Sequence, residues 1–310
     1  MRAIRISAYG TKPVIKVVPA PEPGASQVVV RVSAAALNPL DYKIAMGFMH
    51  DFFPVTFPYT LGTDLAGTVA AVGPDVTEWV VGDTVVARTD PPQGGALADT
   101  VLVDATHLVK VPDFLSPVEA AGIPTAAGTA YQALFETADL KAGQSVLVHA
   151  GAGGVGSFAI QMARQIGARV IATASGDGIA IAERLGADQV IDYATTPFET
   201  LVSDIDVVLD TIGGDTQHRS FGVIRAGGTL VATSAPPDEA LAKAHAVDAS
   251  FVFHQSDAPR LAKLLAMVES GSLQVLVDRV VPLPDIDTAF DHQASGRARG
   301  KIILLPEDTL

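Results

Sequence analysis

Hydrophobic spacing divides this chain of 310 residues into two regimes. Between about 142 and 254, short apolar runs alternate with stretches whose apolar residues recur every three or four positions. The runs at 146–149, 169–173, 189–192, 207–210, 229–233 and 251–254 are β-branched and nearly free of polar residues, as strands are when helices cover both faces. Helical spacing fills most gaps, at 155–166, 179–185, 198–202 and 216–224. Six strands interleaved with helices predict an α/β fold with a doubly wound parallel sheet. Before about residue 125 the pattern changes. Strand-like pieces at 27–34, 67–72, 84–88 and 98–103 lie between turn pairs such as Pro23-Gly24, Gly73-Pro74 and Pro91-Pro92, which predicts an antiparallel, barrel-like β domain. An apolar strand at 301–305 returns to that character. The expected plan is a β domain of 1–124 together with 257–310, interrupted by a parallel-sheet domain at 125–256, with a cleft between them.

The strongest chemical signal follows the first parallel strand, in V-L-V-H-A-G-A-G-G-V-G-S-F. Gly151, Gly153 and Gly156 fit G-x-G-x-x-G, in which glycines allow a tight turn, close approach to a pyrophosphate and close helix–sheet packing. With Ala152, Gly154 and Val155 they would form the cofactor turn, and the next helix would aim free N–H groups at the phosphates. A glycine-rich turn also serves purely structural β–α junctions. The preceding strand and the apolar spacing of Val155, Phe158, Ala159, Met162, Ala163 and Ile166 favour the dinucleotide reading. Gly167 stands where a helix C-terminal glycine belongs.

Composition narrows the chemistry further. A net charge of −13 argues against nucleic acid and anionic membranes as partners, though not against a dinucleotide held by local positive potential. No window approaches the roughly 18 apolar residues of a membrane helix, and the N-terminal residues lack a secretory hydrophobic segment, so a cytoplasmic location is expected. The chain has no cysteine, which removes disulfides, thiol catalysis and thiolate zinc sites. Its seven histidines show neither HxH nor HExxH spacing, and no metal site is expected.

Several motifs occur in order: Asn38-Pro39-Leu40-Asp41-Tyr42-Lys43, Leu61-Gly62-Thr63-Asp64-Leu65-Ala66-Gly67, Gly82-Asp83-Thr84-Val85, Gly94-Gly95-Ala96-Leu97-Ala98-Asp99 and Gly128-Thr129-Ala130-Tyr131. After the glycine-rich turn come Leu185-Gly186-Ala187-Asp188, Asp210-Thr211-Ile212-Gly213-Gly214 and Gly300-Lys301-Ile302. Over essentially its whole length the chain resembles the zinc-free quinone oxidoreductase (zeta-crystallin-like) branch of the medium-chain dehydrogenase/reductase superfamily. The resemblance implies a GroES-like catalytic domain, a Rossmann domain, and a homodimer paired through the strand at 251–254. Zinc-dependent relatives carry a cysteine and a histidine where this chain has Asn38 and Thr63, and their cysteine lobe shrinks here to Pro91-Pro92-Gln93-Gly94.

Without a Lewis acid, hydride transfer suits a conjugated acceptor, whose developing charge spreads into a hydroquinone oxyanion or an enolate. The resemblance therefore implies a zinc-independent oxidoreductase that passes hydride from NADPH to a quinone or an α,β-unsaturated carbonyl. Two other readings stay open: a trans-acting enoyl-thioester reductase of lipid or polyketide synthesis, and a catalytically silent NADP-binding protein.

Site residues follow from the matching positions. Asn38 is either a donor to the substrate oxygen or an Asx turn before a helix. Tyr42 is either a hydroxyl donor or a packing tyrosine, and His50 is a further candidate donor, because a family tyrosine is absent from Phe48-Met49-His50-Asp51. Phe48, Phe52, Phe53 and Phe57 suit an apolar wall or ordinary core. At the end of the second parallel strand Ser175 replaces the carboxylate that binds a ribose 2′-hydroxyl, and with Tyr193 it suits a 2′-phosphate. The usual cation is replaced by Gly178-Ile179, which leaves NADH as the competing cofactor. Thr129, Thr211, Ile212, Ser234, Phe253 and His254 are the remaining cofactor candidates, each also explicable as a structural residue.

Overall fold

The computed structural model describes residues 1–306; the final positions of the expected 257–310 segment, 307–310, lie outside the described residues. Two units share the chain: Met1–Thr125 with Gln255–Ser270 and from Val275 onward, and Ala126–His254 with Gly271–Gln274.

The first unit opens with β1 (Arg2–Ile6), β2 (Val14–Val17), β3 (Gln27–Leu37) and α1 (Pro39–Ala45). It continues through β4 (Tyr59–Thr60), β5 (Asp64–Val72), β6 (Thr84–Arg88), β7 (Thr100–Asp104), β8 (Val109–Lys110) and α2 (Pro117–Ala121). Helix α3 (Pro124–Tyr131) carries the first boundary between the units. The second unit then runs β9 (Ser145–Val148), α4 (Gly154–Gln165), β10 (Arg169–Ala174), α5 (Gly178–Leu185) and β11 (Gln189–Asp192). After these come β12 (Ile205–Asp210), α6 (Gly214–Ser220), β13 (Ile224–Ala232), α7 (Glu239–His245) and β14 (Asp248–Phe251). The chain returns to the first unit with α8 (Ala258–Glu269), β15 (Val277–Pro282), α9 (Ile286–Ala294) and β16 (Lys301–Leu305).

In the first unit, β3 is the central strand. It pairs antiparallel with β5, β7 and β16, in a sheet ordered β15-β16-β3-β5-β6-β8 with β7 also on β3. A smaller sheet runs β2-β1-β4. Fully buried Ile4, Leu37, Leu61, Leu65, Leu97 and Leu304 fill the core of this unit, each removing apolar surface from water at about 25 cal/mol per Å².

The second unit holds the six parallel strands that the apolar runs predict, ordered β11-β10-β9-β12-β13-β14. Gly167 follows α4 with φ +80°, the left-handed end that glycine permits.

Three local expectations need correction. The last parallel strand ends at Phe251 rather than at 254, because its register on β13 runs from Asp248 opposite Thr229 to Phe251 opposite Ala232, where β13 also ends. The expected helix at 198–202 is only a 3-10 turn at Phe198–Thr200, its first residue pinned beneath the His149 ring at 4.8 Å. Helix α7 has no counterpart in the expected elements; Pro236-Pro237 hide it, although Asp238 caps it by accepting from the Ala240 and Leu241 N–H groups.

Candidate active site

In the second unit, β9 feeds directly into the glycine-rich turn, and Ala150 takes φ +52° to let the chain fold back. A Cβ at Gly156 would be driven into the Ala150 carbonyl and to 2.9 Å from Gly151 Cα, so backbone blocks any side chain there. One at Gly151 would sit 2.8 Å from Ala172 Cβ and 2.9 Å from Ile160 Cδ1, which shows how closely α4 lies on the sheet. Helix α4 starts at Gly154 with Gly153 as its N-cap, and no side chain bonds to the helix end from that position. The first N–H groups of a helix lack intrahelical partners. Here Gly153 and Gly154 leave the start of the helix without flanking side chains, beside the positive end of the helix dipole, and such a helix start suits an anionic group.

The structure brings Ser175 and Tyr193 together. The Ser175 Oγ donates to the Tyr193 hydroxyl at 2.8 Å, and the tyrosine is 56% exposed. Thr211 Oγ1 donates to the His149 carbonyl at 2.9 Å, and Ser234 Oγ donates to the Ile212 carbonyl at 3.0 Å. Buried Asp210 fixes the intervening loop: its Oδ1 accepts from the Ile212 and Gly213 N–H groups, each at 2.9 Å. Thr129 is buried on α3. Phe253 and His254 lie beyond the strand; Phe253 meets the Phe251 ring edge-on at 4.5 Å, and a Cβ at Gly128 would lie 2.7 Å from His254 Nε2.

His149, inside the apolar run Val-Leu-Val-His, is sealed beneath this region. Its Nδ1 lies 3.1 Å from Thr173 Oγ1 and its Nε2 2.9 Å from Ser220 Oγ. Burial pushes its pKa down to about 4, against the opposing pull of Asp210.

In the first unit, Asn38 heads α1 in an extended conformation, φ −120° and ψ 154°, and only 2% of it is exposed. Its backbone N–H donates to Asp41 Oδ2 at 2.7 Å. Its side-chain amide lies between two charged partners: Nδ2 donates to Asp64 Oδ2 at 3.0 Å, and Oδ1 accepts from the Lys301 ammonium. Tyr42 is half-buried, packed against the core with its ring 5.6 Å from Phe290. His50 is exposed on the turn after α1, with Nδ1 3.0 Å from the Gly47 carbonyl and Nε2 2.9 Å from Asp51. Phe48 and Phe52 are exposed, whereas Phe57 packs against the core, edge-on to Tyr9 at 4.8 Å.

No sequence pattern assigns a site role to the charged residues around Asn38. Asp41, Asp64, Arg88 and Lys301 are all buried. Asp64 Oδ1 accepts from Thr125 Oγ1 at 2.6 Å and its Oδ2 from the Thr125 N–H at 3.1 Å, while Arg88 Nε donates to the same threonine hydroxyl at 3.0 Å. Desolvation pushes the Asp41 carboxyl up to about 7 and holds the Lys301 ammonium and the Arg88 guanidinium below their ordinary values. The available signal was a charged residue at either end of an apolar strand: Arg88 closing Val-Val-Ala-Arg and Lys301 opening Lys-Ile-Ile-Leu-Leu. Among the described residues, no group of three or more histidines, cysteines, aspartates and glutamates is placed to hold a metal ion.

Comparison with known proteins agrees with this organisation. Residues 24–113 match the alcohol dehydrogenase GroES-like domain family, and residues 185–304 the family described as zinc-binding dehydrogenase. The chain is 35% identical to 2-methylene-furan-3-one reductase of Solanum lycopersicum, over 99% of its own length and 79% of the relative's. It is 36% identical to the chloroplastic NADPH-dependent alkenal/one oxidoreductase of Arabidopsis thaliana, over 99% and 80%. Among solved structures, the quinone oxidoreductase of Coxiella burnetii superposes with TM-score 0.91 at 33% identity, covering 98% of this chain and 99% of the other.

Proposed function

The chain belongs to the zinc-free quinone oxidoreductase branch of the medium-chain dehydrogenase/reductase superfamily, and on that premise we propose that it transfers hydride from NADPH to a quinone or an α,β-unsaturated carbonyl. The observation that carries the reading is the glycine-rich turn at Gly151–Gly156, where Gly156 admits no Cβ against the Ala150 carbonyl. Related proteins named for quinone and for NADPH-dependent alkenal/one reduction give the substrate class.

NADPH, when bound, supplies the hydride and the reducing electrons. The chain's own residues do the rest. The N–H groups at the start of α4 take the diphosphate. Ser175 and Tyr193 take the 2′-phosphate, where the absence of a carboxylate at the end of β10 removes the repulsion that an NAD-selective site would impose. Asn38 holds a second Nδ2–H beyond the one given to Asp64, and this donor meets the substrate oxygen as negative charge develops on it. Tyr42, packed against Phe290, and His50, exposed beside Asp51, stay candidate donors in this reading.

The same reading includes a homodimer. Strand β14 closes one end of the parallel sheet, and its outer edge carries backbone groups that a second copy would pair. Sedimentation of the purified protein at micromolar concentration tests this; a monomer throughout removes it. No helix among the described residues is long and apolar enough to cross a membrane.

The direct test is NADPH oxidation by the purified protein with 1,2-naphthoquinone and with a 2-enal. Turnover with at least one acceptor, and tighter binding of NADPH than of NADH, is the expected result. Failure to turn over either acceptor overturns the assignment.

A further inference from the structure

We propose that Lys301 and Asp64 are positioning residues that lock the Asn38 amide in the one orientation that presents an N–H to the substrate. The inference rests on the reading of Asn38 as that donor.

A carboxamide has two nearly isosteric orientations, with oxygen and nitrogen exchanged. The partners of Asn38 permit only one. Lys301 Nζ has donors and no acceptor, and it gives hydrogen bonds to Asn38 Oδ1 and, at 3.4 Å, to the Leu37 carbonyl. Asp64 Oδ2 accepts from Nδ2 at 3.0 Å. Exchanging the ends would set the amide N–H₂ against an ammonium and the amide oxygen against a carboxylate, so both contacts would be lost.

The two partners are themselves fixed. Asp64 opens β5 opposite Ala36 and is held by Thr125 through both its hydroxyl and its N–H. Lys301 opens β16, beside the pairing of Ile302 with Leu37, and its Nζ lies 3.9 Å from Asp64 Oδ2. Both side chains are almost fully buried, at 4% and 0% exposure. Buried ion pairs of this kind are often no better for stability than apolar residues of the same size. What they add here is direction. The ammonium on the amide oxygen also draws electron density from the nitrogen, which strengthens the remaining N–H as a donor.

The test is a double-mutant cycle on the full chain, with NADPH and 1,2-naphthoquinone. Asn38→Ala and Lys301→Met are each expected to lower kcat by about tenfold or more, with the Kd for NADPH unchanged within about twofold. In the Asn38→Ala background, Lys301→Met is expected to change kcat by less than about twofold, because the residue it orients is gone. A lysine with only a structural duty would slow both backgrounds alike, and that result overturns the proposal. Should Lys301→Met fail to fold, Lys301→Arg keeps the charge facing Asp64 while displacing the donor, and the same pattern is expected from it. If Asn38→Ala is slow and neither lysine variant is, positioning fails while the donor reading survives. Full activity in Asn38→Ala removes the donor reading and the positioning with it.

Discussion

Ser175 and Tyr193 lie 18 residues apart in sequence, and the serine Oγ donates to the phenol oxygen at 2.8 Å, which ties the end of β10 to the end of β11. A 2′-phosphate bound there would meet the two hydroxyls. Ser175→Asp is expected to weaken NADPH by about tenfold or more while sparing NADH, from like-charge repulsion. Tyr193→Phe removes one neutral donor and is expected to cost about 1 kcal/mol, roughly fivefold in Kd. Titration of both cofactors against the two variants reads this out, and unchanged selectivity in Ser175→Asp removes the pair from the cofactor site.

Gly156→Ala presses a methyl group into rigid backbone at the Ala150 carbonyl and Gly151 Cα. The expected loss is about 1–3 kcal/mol in stability, with the turn displaced. Gly153→Ala meets the Ala150 carbonyl at 3.2 Å and Ala150 Cβ at an ordinary 3.9 Å, and should be milder. Thermal unfolding with and without NADPH checks both consequences: the cofactor should raise Tm for the natural chain but hardly for Gly156→Ala.

Asp64 faces two buried cations, with Arg88 directly opposite it in the β5–β6 ladder and Lys301 beside it. Asp64→Ala strands both charges, and the expected cost is about 3–5 kcal/mol. Asp64→Asn keeps an acceptor for Asn38 and Thr125 and should cost less. Denaturant unfolding of both variants beside the natural chain ranks them, and an Asp64→Asn variant as stable as the natural chain would show that the charge is not needed.

His149 gives the chain an acid sensitivity of definite sign. Burial holds its folded pKa down to about 4, whereas in the unfolded chain it titrates near about 6.5. Between these values the unfolded chain binds a proton that the folded chain refuses, so stability falls as pH drops from 6.5 towards 4, by on the order of 3 kcal/mol. Asp41 acts in the opposite sense: its carboxyl is pushed up to about 7, so its contribution is present at low pH and lost as pH rises through 7. Subtracting the unfolding free energies of His149→Gln from those of the natural chain cancels Asp41. The difference should shrink by about that amount between pH 7 and pH 4; a flat difference would sink the assignment.

The parallel sheet, the antiparallel domain and the glycine turn were all legible in the sequence, because each rests on local rules. A strand buried on both faces needs an unbroken apolar run, and a turn that admits no Cβ needs glycine. Gln189–Asp192, Thr84–Arg88 and Lys301–Leu305 begin and end where the hydrophobic pattern places them. The end of β14 did not, since a parallel edge strand stops where its neighbour stops, and nothing local records that.

Tertiary structure alone decided what Asn38 touches. Residues 38, 41, 64, 88, 125 and 301 meet because β3, β5, β6 and β16 are neighbours in one sheet. A hydrogen bond spanning 263 residues leaves no periodic trace in either segment. The sequence by itself determined the glycine-rich turn and the helix that follows it, a matter of which residues lack side chains. The packing decided which charges share a dry interior, and so which way one amide must face.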